Sequence, residues 1–226
     1  MHQFFNTKQQ HSFVFLGEAG CGKSEIAVNL AISLAQKKEK AVHFFDMDMT
    51  KPLFRSRDLT QMLREQGVTV HFEQQFMDAP TMVGGVSRLL RNPDCYTVLD
   101  IGGDEIGARA VGAYAPILNN NGCAVYYVVN PYRPWSADLE HIDGVLSATL
   151  GSAHVQFDRL HFIGNPNFGR DTSAEEVLAG MQQLNDTLGQ YRTIDFFCAE
   201  ESLCRKLPQG VCPLKLYMTY SWEKET

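Results

Sequence analysis

Residues 15–25 of the chain read FLGEAGCGKSE, in which Gly17 is followed by four residues and then by Gly22, Lys23 and Ser24. This spacing, after an apolar run and before a helical pattern, is that of a loop that cradles phosphate. Its glycines let the backbone curl so that N–H groups face phosphate oxygens, and the next helix adds unpaired N–H donors. Lys23 is predicted to reach the β and γ phosphates as a catalytic cation, and Ser24 to offer a hydroxyl to Mg²⁺. The predicted nucleotide-binding residues of this loop are Gly17, Gly20, Cys21, Gly22, Lys23, Ser24 and Glu25.

Short apolar runs and helical patterns alternate around this loop. The runs are nearly continuous in apolar residues, which is typical of strands buried on both faces of a parallel sheet. They cover residues 12–17, 41–46, 95–103, 123–130 and 160–165, and helical spacing covers 23–38, 136–150 and 173–191. Ser173 and Glu176 have the spacing of a capping box. This alternation predicts an α/β fold, a doubly wound, mainly parallel sheet with helices on both faces. Because the chain contains no repeat or linker, we expect a single nucleotide-binding domain, residues 1–226.

Carboxylates stand at the ends of two predicted strands. Asp46 and Asp48 follow one apolar run, and Asp100 follows another. A single Asp at a strand end is more often a turn residue or a helix cap. Two such strands beside a phosphate loop favour a magnesium–phosphate site, because the carboxyl ends of parallel strands meet at one edge of the sheet. A carboxylate that faces Ser24 across this edge could also orient water for hydrolysis.

Composition narrows the class of protein. A formal net charge of -6 argues against a nucleic-acid partner held by a broad basic face. No apolar run has the length of a membrane span, and the N-terminus has no export signal, so we expect a cytoplasmic protein. The six cysteines form no C-x-x-C pair, and we expect them to be reduced and mostly buried.

The order of these motifs resembles the MinD/ParA-type P-loop ATPases, relatives of the nitrogenase iron protein, over about residues 12–205. The resemblance implies that Asp46 helps to organise Mg²⁺, that Asp48 positions the attacking water, and that Asp100 binds Mg²⁺ through water. The implied cofactors are therefore ATP and Mg²⁺, and the implied metal-site residues are Ser24, Asp46 and Asp100.

The base-binding side of the resemblance rests on the segment after the run 160–165. Asn165 would contact the base, and the following residues, Pro166, Asn167 and Phe168, include no Asp of the kind that guanine-reading relatives carry. This composition favours adenine. Residues 196–207, FFCAEESLCRKL, occupy the place of the loop that packs against the base in these ATPases.

A narrower resemblance, and one departure, concern the surroundings of the phosphate. Residues 46–58, 100–114 and 128–134 look like a little-characterised ParA-like subgroup. MinD and ParA proteins carry a lysine that reaches across a dimer, and Glu18 stands at that position here. A carboxylate directed at the γ phosphate would repel it, so we expect Glu18 to point outward.

Some of the cations and small residues in these segments admit two readings. Arg55, Arg57 and Arg133 could contact phosphate or a partner, or they could be ordinary surface arginines. A set of small residues after Asp100 could serve a nucleotide-dependent interface or tight helix packing; it comprises Gly107, Ala108, Ala110, Gly112 and Ala113.

The leading functional hypothesis is a Mg²⁺-dependent ATPase with slow hydrolysis, whose nucleotide state acts as a switch for an unidentified protein partner, with a nucleotide-dependent homodimer as one form of partnership. One alternative is a small-molecule kinase on the same fold, in which residues 51–94 build the acceptor pocket and Arg55, Arg57 and Arg64 supply cations. A further alternative is an adaptor that binds nucleotide without hydrolysing it. Lys215 interrupts the apolar stretch near the C-terminus, so we expect no membrane attachment.

Overall fold

Every strand pairing in the described residues of the computed structural model, which are 1–48, 59–71 and 85–218, is parallel. The strands form one eight-stranded sheet in the order β3-β2-β4-β1-β5-β6-β7-β8. Their bounds are β1 Ser12–Gly17, β2 Ala41–Met47, β3 Val68–His71, β4 Cys95–Ile101, β5 Cys123–Val129, β6 Leu160–Gly164, β7 Phe196–Glu200 and β8 Cys212–Leu214. The predicted α/β fold with a parallel sheet is confirmed.

The five strands expected from continuous apolar runs are β1, β2, β4, β5 and β6, each within two residues of its expected bounds. Three further strands lie at the two ends of the sheet and were not predicted. Strand β3 has only four residues, which alternate between buried and less buried, so it lacks the continuous pattern. Strand β7 begins the segment 196–207 that was assigned to the base loop, and β8 is only three residues long.

Helices cover both faces of this sheet. Their bounds are α1 Lys23–Lys37, α2 Thr60–Glu65, α3 Val86–Leu90, α4 Glu105–Gly112, α5 Ala115–Leu118, α6 Leu139–Ala153 and α7 Ala174–Thr187. Apolar residues of α1 and α2 join one buried cluster, and those of α3 to α6 join a second. The two clusters explain why the strands between them are apolar on both faces. The predicted capping box of α7 is present, with Ser173 and Glu176 bonded reciprocally.

The small residues of α4 serve close packing. A Cβ added at Gly112 would lie 2.7 Å from the carbonyl oxygen of Ser152 in α6, and one at Gly107 would lie 2.6 Å from the carbonyl oxygen of Gly102. Backbone therefore approaches backbone at both positions, which accounts for these two glycines without an intermolecular interface.

The sheet order brings the predicted site residues to one edge. Strand β1 lies between β4 and β5, and the chain leaves β1 through the phosphate loop. Asp100 of β4 is in register with Phe15 of β1 and with Asp46 of β2. All these strands are parallel, so their carboxyl ends open on the same crevice, where ligands bind in sheets of this kind. No helix within residues 1–48, 59–71 and 85–218 has the length and apolarity needed to cross a membrane.

Candidate functional site

The phosphate loop connects β1 to α1 through glycines in left-handed or extended backbone conformations. Gly20 and Gly22 have φ values of 79° and 94°. A Cβ at Gly22 would lie 2.1 Å from the Asn165 side-chain nitrogen, so only glycine fits there. Gly22 is also the N-cap of α1 and supplies no side-chain hydrogen bond to the first turn. The helix therefore presents backbone N–H donors at the loop, which is the arrangement that binds phosphate.

Lys23 is buried, with 2% of its surface exposed. Burial alone would lower the pKa of its ammonium group. Neighbouring groups outweigh this effect and raise the pKa of Lys23 above its ordinary value. The largest of these contributions comes from Cys21, followed by Asp100 and Asp48. Lys23 is therefore a permanently charged cation at neutral pH, set beside carboxylates at the loop.

The three predicted carboxylates lie close to one another, and Asp48 and Asp100 lie near this lysine. Asp46, Asp48 and Asp100 are each at most 2% exposed. Asp46 accepts a hydrogen bond from the backbone N–H of Asp48 at 3.1 Å, which shapes the end of β2. Burial raises the pKa of Asp100 to about 7, and the Lys23 charge opposes this rise. The hydroxyl of Ser24 also bonds to Asp100 and favours its charged form.

This cluster suits a magnesium ion that is held mainly by nucleotide and water. The Oδ1 atom of Asp100 is buried and has no hydrogen-bond partner among the described residues. A buried carboxylate oxygen beside a serine hydroxyl is a ligand environment for Mg²⁺, which prefers oxygen and keeps several waters. No set of three or more His, Cys, Asp or Glu side chains in the described part of the chain is arranged to hold a metal by itself. The residues present thus fit an ion that binds together with phosphate.

A cavity of about 240 Å³ extends from the phosphate loop to the C-terminal segment. Its phosphate-loop side is lined by Gly20, Gly22, Lys23, Ser24 and Glu25. Its far side is lined by Asn165, Pro166, Asn167, Gly169, Arg170, Thr172, Val177, Ala199, Glu200, Leu203, Leu214, Leu216 and Met218, and Arg133 also borders it. The cavity therefore joins a polar end at the loop to a largely apolar end that can receive a base.

Two asparagines connect the far side of the cavity to the loop. Asn165 is 3% exposed and donates its side-chain N–H to the carbonyl oxygen of Cys21 at 2.8 Å. Asn167 donates its side-chain N–H to the carbonyl oxygen of Asn165 at 2.9 Å. Phe168 stacks on Tyr132 with ring centroids 4.0 Å apart. Asn165 thus both borders the cavity and holds the phosphate loop in place.

Glu25 anchors the C-terminal segment, a contact that sequence reasoning missed. Its carboxylate accepts backbone N–H groups from Tyr217 at 2.5 Å and Met218 at 3.2 Å. Four residues along α1, Asn29 exchanges two hydrogen bonds with the backbone of Lys215, at 2.8 and 3.0 Å. Burial raises the pKa of Glu25 to about 7 despite the two backbone hydrogen bonds, which favour its charged form. The segment 215–218 is thereby fastened against the cavity.

The expectation that Glu18 points outward is wrong. Glu18 is 5% exposed. Its Oε2 atom accepts a hydrogen bond from the hydroxyl of Ser136 at 3.0 Å, and its Oε1 atom accepts one from the backbone N–H of Trp135 at 3.3 Å. The carboxylate is turned toward the segment after β5 because donors there satisfy its charge, so it is neither in solvent nor unpaired.

The remaining predicted cations and contacts have mixed outcomes. Arg55 and Arg57 lie outside the described residues, as do residues 51–58 and 72–84 of the segment proposed as a kinase acceptor pocket. Arg64 is exposed on α2 and is not among the residues that line the cavity. Part of the segment 196–207 does border the cavity, although its first five residues form β7. Sequence reasoning missed Arg170, which follows β6 at the same sheet edge and could have been found by its place there.

The cysteines lie mostly in the protein interior. All six are free, five are buried and Cys204 is half-buried, so the expectation of mostly buried thiols is confirmed. Burial raises the pKa of Cys123 to about 12, far from the range of a reactive thiolate.

The chain is similar to known nucleotide-binding proteins. Residues 13–209 match the family model described as the CobQ/CobB/MinD/ParA nucleotide binding domain. No curated protein matches the sequence significantly. Among solved structures, the signal recognition particle 54 kDa protein from Aeropyrum pernix K1, in complex with GDP, superimposes with a TM-score of 0.52 at 17% identity, over 90% of this chain and 44% of that chain. FlhF complexed with GTP and Mg²⁺ gives a TM-score of 0.44 at 14% identity, over 74% of this chain and 59% of that chain. The chain thus spans about half the length of these structures, and at such identity the first supports the fold alone.

Proposed function

The chain belongs to the CobQ/CobB/MinD/ParA family of nucleotide-binding domains, and we propose that it is a Mg²⁺-dependent ATP-binding protein that hydrolyses ATP slowly and presents its nucleotide state to a protein partner. The observation that carries the proposal is the buried cluster at the loop. A charged Lys23 lies near Asp100, whose Oδ1 atom has no hydrogen-bond partner among the described residues, and both are close to backbone donors of α1. Phosphate would accept hydrogen bonds from the loop and Lys23, and a divalent cation would be bound by the carboxylate oxygen.

Each residue of the cluster has a distinct role in this proposal. The loop N–H groups and Lys23 hold the phosphates and neutralise the charge that develops on the transferred phosphoryl group. Ser24, Asp46 and Asp100 hold Mg²⁺, which supplies further charge neutralisation when bound. Asp48 orients the attacking water. Its backbone N–H donates to the Asp46 side chain directly after the end of β2, which supports a positioned carboxylate.

Adenine is the proposed base. Residues 165–168 include no carboxylate for guanine; the side chain of Asn167 is engaged with the backbone of Asn165, and Phe168 stacks on Tyr132. One carboxylate that could accept hydrogen bonds from guanine does line the cavity: Glu200, at the end of β7. Calorimetry with ATP and GTP decides between the bases. Tighter binding of GTP, lost in Glu200→Gln, would overturn the assignment to adenine.

Protein partnership is proposed from the elements that touch the loop. A Cβ at Gly103 would lie 2.6 Å from the backbone nitrogen of Ala19, so the segment that leads into α4 packs directly on the loop. Ile106, in the first turn of α4, is 63% exposed, and Trp135, bonded to Glu18, is 56% exposed. Large apolar side chains that are exposed on elements in contact with a phosphate loop suit an interface that responds to the nucleotide. The partner is another protein or a second copy of this chain.

Three measurements test the proposal together. Calorimetry should show ATP binding that Lys23→Ala abolishes; equal binding by both proteins would refute the phosphate-loop assignment. Phosphate release without any added acceptor should be slow and should disappear in Asp48→Ala, which keeps ATP binding. Turnover that requires a metabolite would instead favour a kinase, and ATP that is retained without turnover would favour an adaptor. Light scattering with a nonhydrolysable analogue reports whether two copies associate.

A further inference from the structure

The turn after β5 is joined to the phosphate loop at two separate points. Arg133 donates a hydrogen bond from its Nε atom to the carbonyl oxygen of Gly20 at 2.9 Å. Two residues further, the 3-10 turn Pro134–Ser136 offers the backbone N–H of Trp135 and the hydroxyl of Ser136 to Glu18. A further hydrogen bond, from the N–H of Ser136 to the carbonyl oxygen of Arg133 at 3.0 Å, lies within the turn and stiffens it. The turn and the loop therefore form one bonded unit.

Both carboxylate oxygens of Glu18 accept hydrogen bonds from this turn. Ser136 is 5% exposed and uses its hydroxyl on one carboxylate oxygen, while the Trp135 N–H occupies the other. A buried carboxylate without such donors would be strongly unfavourable. Glu18 thus holds the turn against the loop.

Arg133 lies at the start of this turn and borders the cavity. It is half-buried and borders the same cavity as Gly20, Lys23 and Ser24. Its Nε and Cζ atoms lie 3.4 and 3.6 Å from where a Cβ at Gly20 would be. Only Nε is engaged by Gly20, and within residues 1–48, 59–71 and 85–218 no carboxylate pairs with the guanidinium. Its terminal amino groups can therefore donate to an anion in the cavity.

We propose that Arg133 is a nucleotide-contacting cation supplied from within the same chain, and that Glu18 is the positioning residue that holds it over the phosphate loop. The inference rests on the proposed nucleotide binding. A guanidinium that borders the cavity, with one N–H engaged by the loop carbonyl, offers phosphate oxygens charge-assisted hydrogen bonds at little orientational cost. Glu18 contributes through Arg133 and makes no contact with the nucleotide itself.

Calorimetry with Mg²⁺ and a nonhydrolysable ATP analogue tests the assignment of Arg133. Arg133→Ala should weaken binding about 10- to 100-fold, because a charge-assisted hydrogen bond is lost. Arg133→Lys keeps the charge without the Nε hydrogen bond and should fall between the wild type and the alanine variant. Arg159→Ala is the matched control, because Arg159 is bonded to Asn121 near the opposite end of β5 and should leave binding unchanged.

Glu18 is tested by its dependence on Arg133. Glu18→Ala should weaken binding about 3- to 10-fold, because the turn loses its attachment. Glu18→Gln keeps an acceptor oxygen and should restore most of the affinity. The double variant Glu18→Ala/Arg133→Ala should bind no more weakly than Arg133→Ala alone, since the two residues act in series.

Several results would overturn the inference. Arg133→Ala within twofold of the wild type, while Lys23→Ala abolishes binding, rejects the role of Arg133 and leaves the proposed function intact. Tighter binding by Glu18→Ala or Glu18→Gln means that the carboxylate repels phosphate, and additive losses in the double variant mean that Glu18 acts independently of Arg133; either rejects the positioning role. Thermal unfolding of each variant shows whether it is folded, and Arg133→Gln replaces the alanine variant if that one is not. A wild type that binds no nucleotide rejects the proposed function itself.

Discussion

Replacing Glu25 by glutamine should make the protein more stable at pH 8 than at pH 5, relative to the wild type. The pKa of Glu25 is raised from 4.5 to about 7 by burial. Between these two values the folded state holds a proton that the unfolded state has released, so wild-type stability falls as the pH rises through this window. Glutamine has no proton to lose and escapes the penalty.

The magnitude follows from the shift. At about 1.4 kcal/mol per pH unit, a rise from 4.5 to about 7 corresponds to about 3 kcal/mol. Glutamine offers one acceptor oxygen where the carboxylate offers two, so one of the N–H groups of Tyr217 and Met218 loses its partner. That loss costs about 1–3 kcal/mol at every pH, and it cancels when the two pH values are compared.

Urea unfolding at pH 5, 6, 7 and 8, without nucleotide or Mg²⁺, measures the difference in unfolding free energy between Glu25→Gln and the wild type. We expect this difference to grow in favour of the variant by about 2.5 kcal/mol across the series, because the unfolded state has already released most of its proton at pH 5. Glu175→Gln is the control, because Glu175 also lies in a first helical turn but is exposed, and its difference should stay flat. A flat difference for Glu25→Gln would refute the raised pKa, and a difference that moves toward the wild type would mean that the charged carboxylate stabilises the fold.

Other predictions concern the loop, a helix, a cap and the metal. Gly22→Ala should lower stability and abolish nucleotide binding, because its Cβ would collide with Asn165 and its φ is 94°; denaturant unfolding and calorimetry measure the two losses. Gly144→Ala, with nothing within 4 Å of the added Cβ, should instead stabilise α6 by about 1 kcal/mol, and a loss there would contradict the helical environment. Ser173→Ala should cost about 1 kcal/mol by removing the capping box of α7, measured by urea unfolding; no change would mean that water replaces the cap. EDTA should weaken ATP binding to the wild type but not to Asp100→Asn, and equal sensitivity of both would remove Asp100 from the metal site.

The fold was predictable where local pattern and burial coincide. Central strands such as β1 and β5 are buried on both faces, and a continuous apolar run is visible in the sequence without knowledge of their neighbours. The edge strand β3 and the three-residue β8 gain their order from pairing with β2 and β7, which a local pattern does not encode.

Some features of the candidate site were likewise predictable from the sequence, and others required the structure. The spacing from Gly17 to Ser24 and the aspartates at two strand ends can be read from the sequence, since the loop is contiguous and parallel strands end at one edge. The finding that Asn165 holds the loop through the carbonyl of Cys21 requires the structure, because 144 residues separate the two.

The sequence by itself determined the phosphate loop, the parallel sheet and the carboxylates that face the loop. It did so because backbone conformation and hydrophobic periodicity are properties of neighbouring residues. Only the tertiary structure decided what the two glutamates of the loop do. Glu18 finds its donors in Trp135 and Ser136, 117 and 118 residues away, and Glu25 finds its donors 192 and 193 residues away. The direction of a carboxylate and its pKa depend on desolvation and on distant donors, and those are established only when the chain has folded.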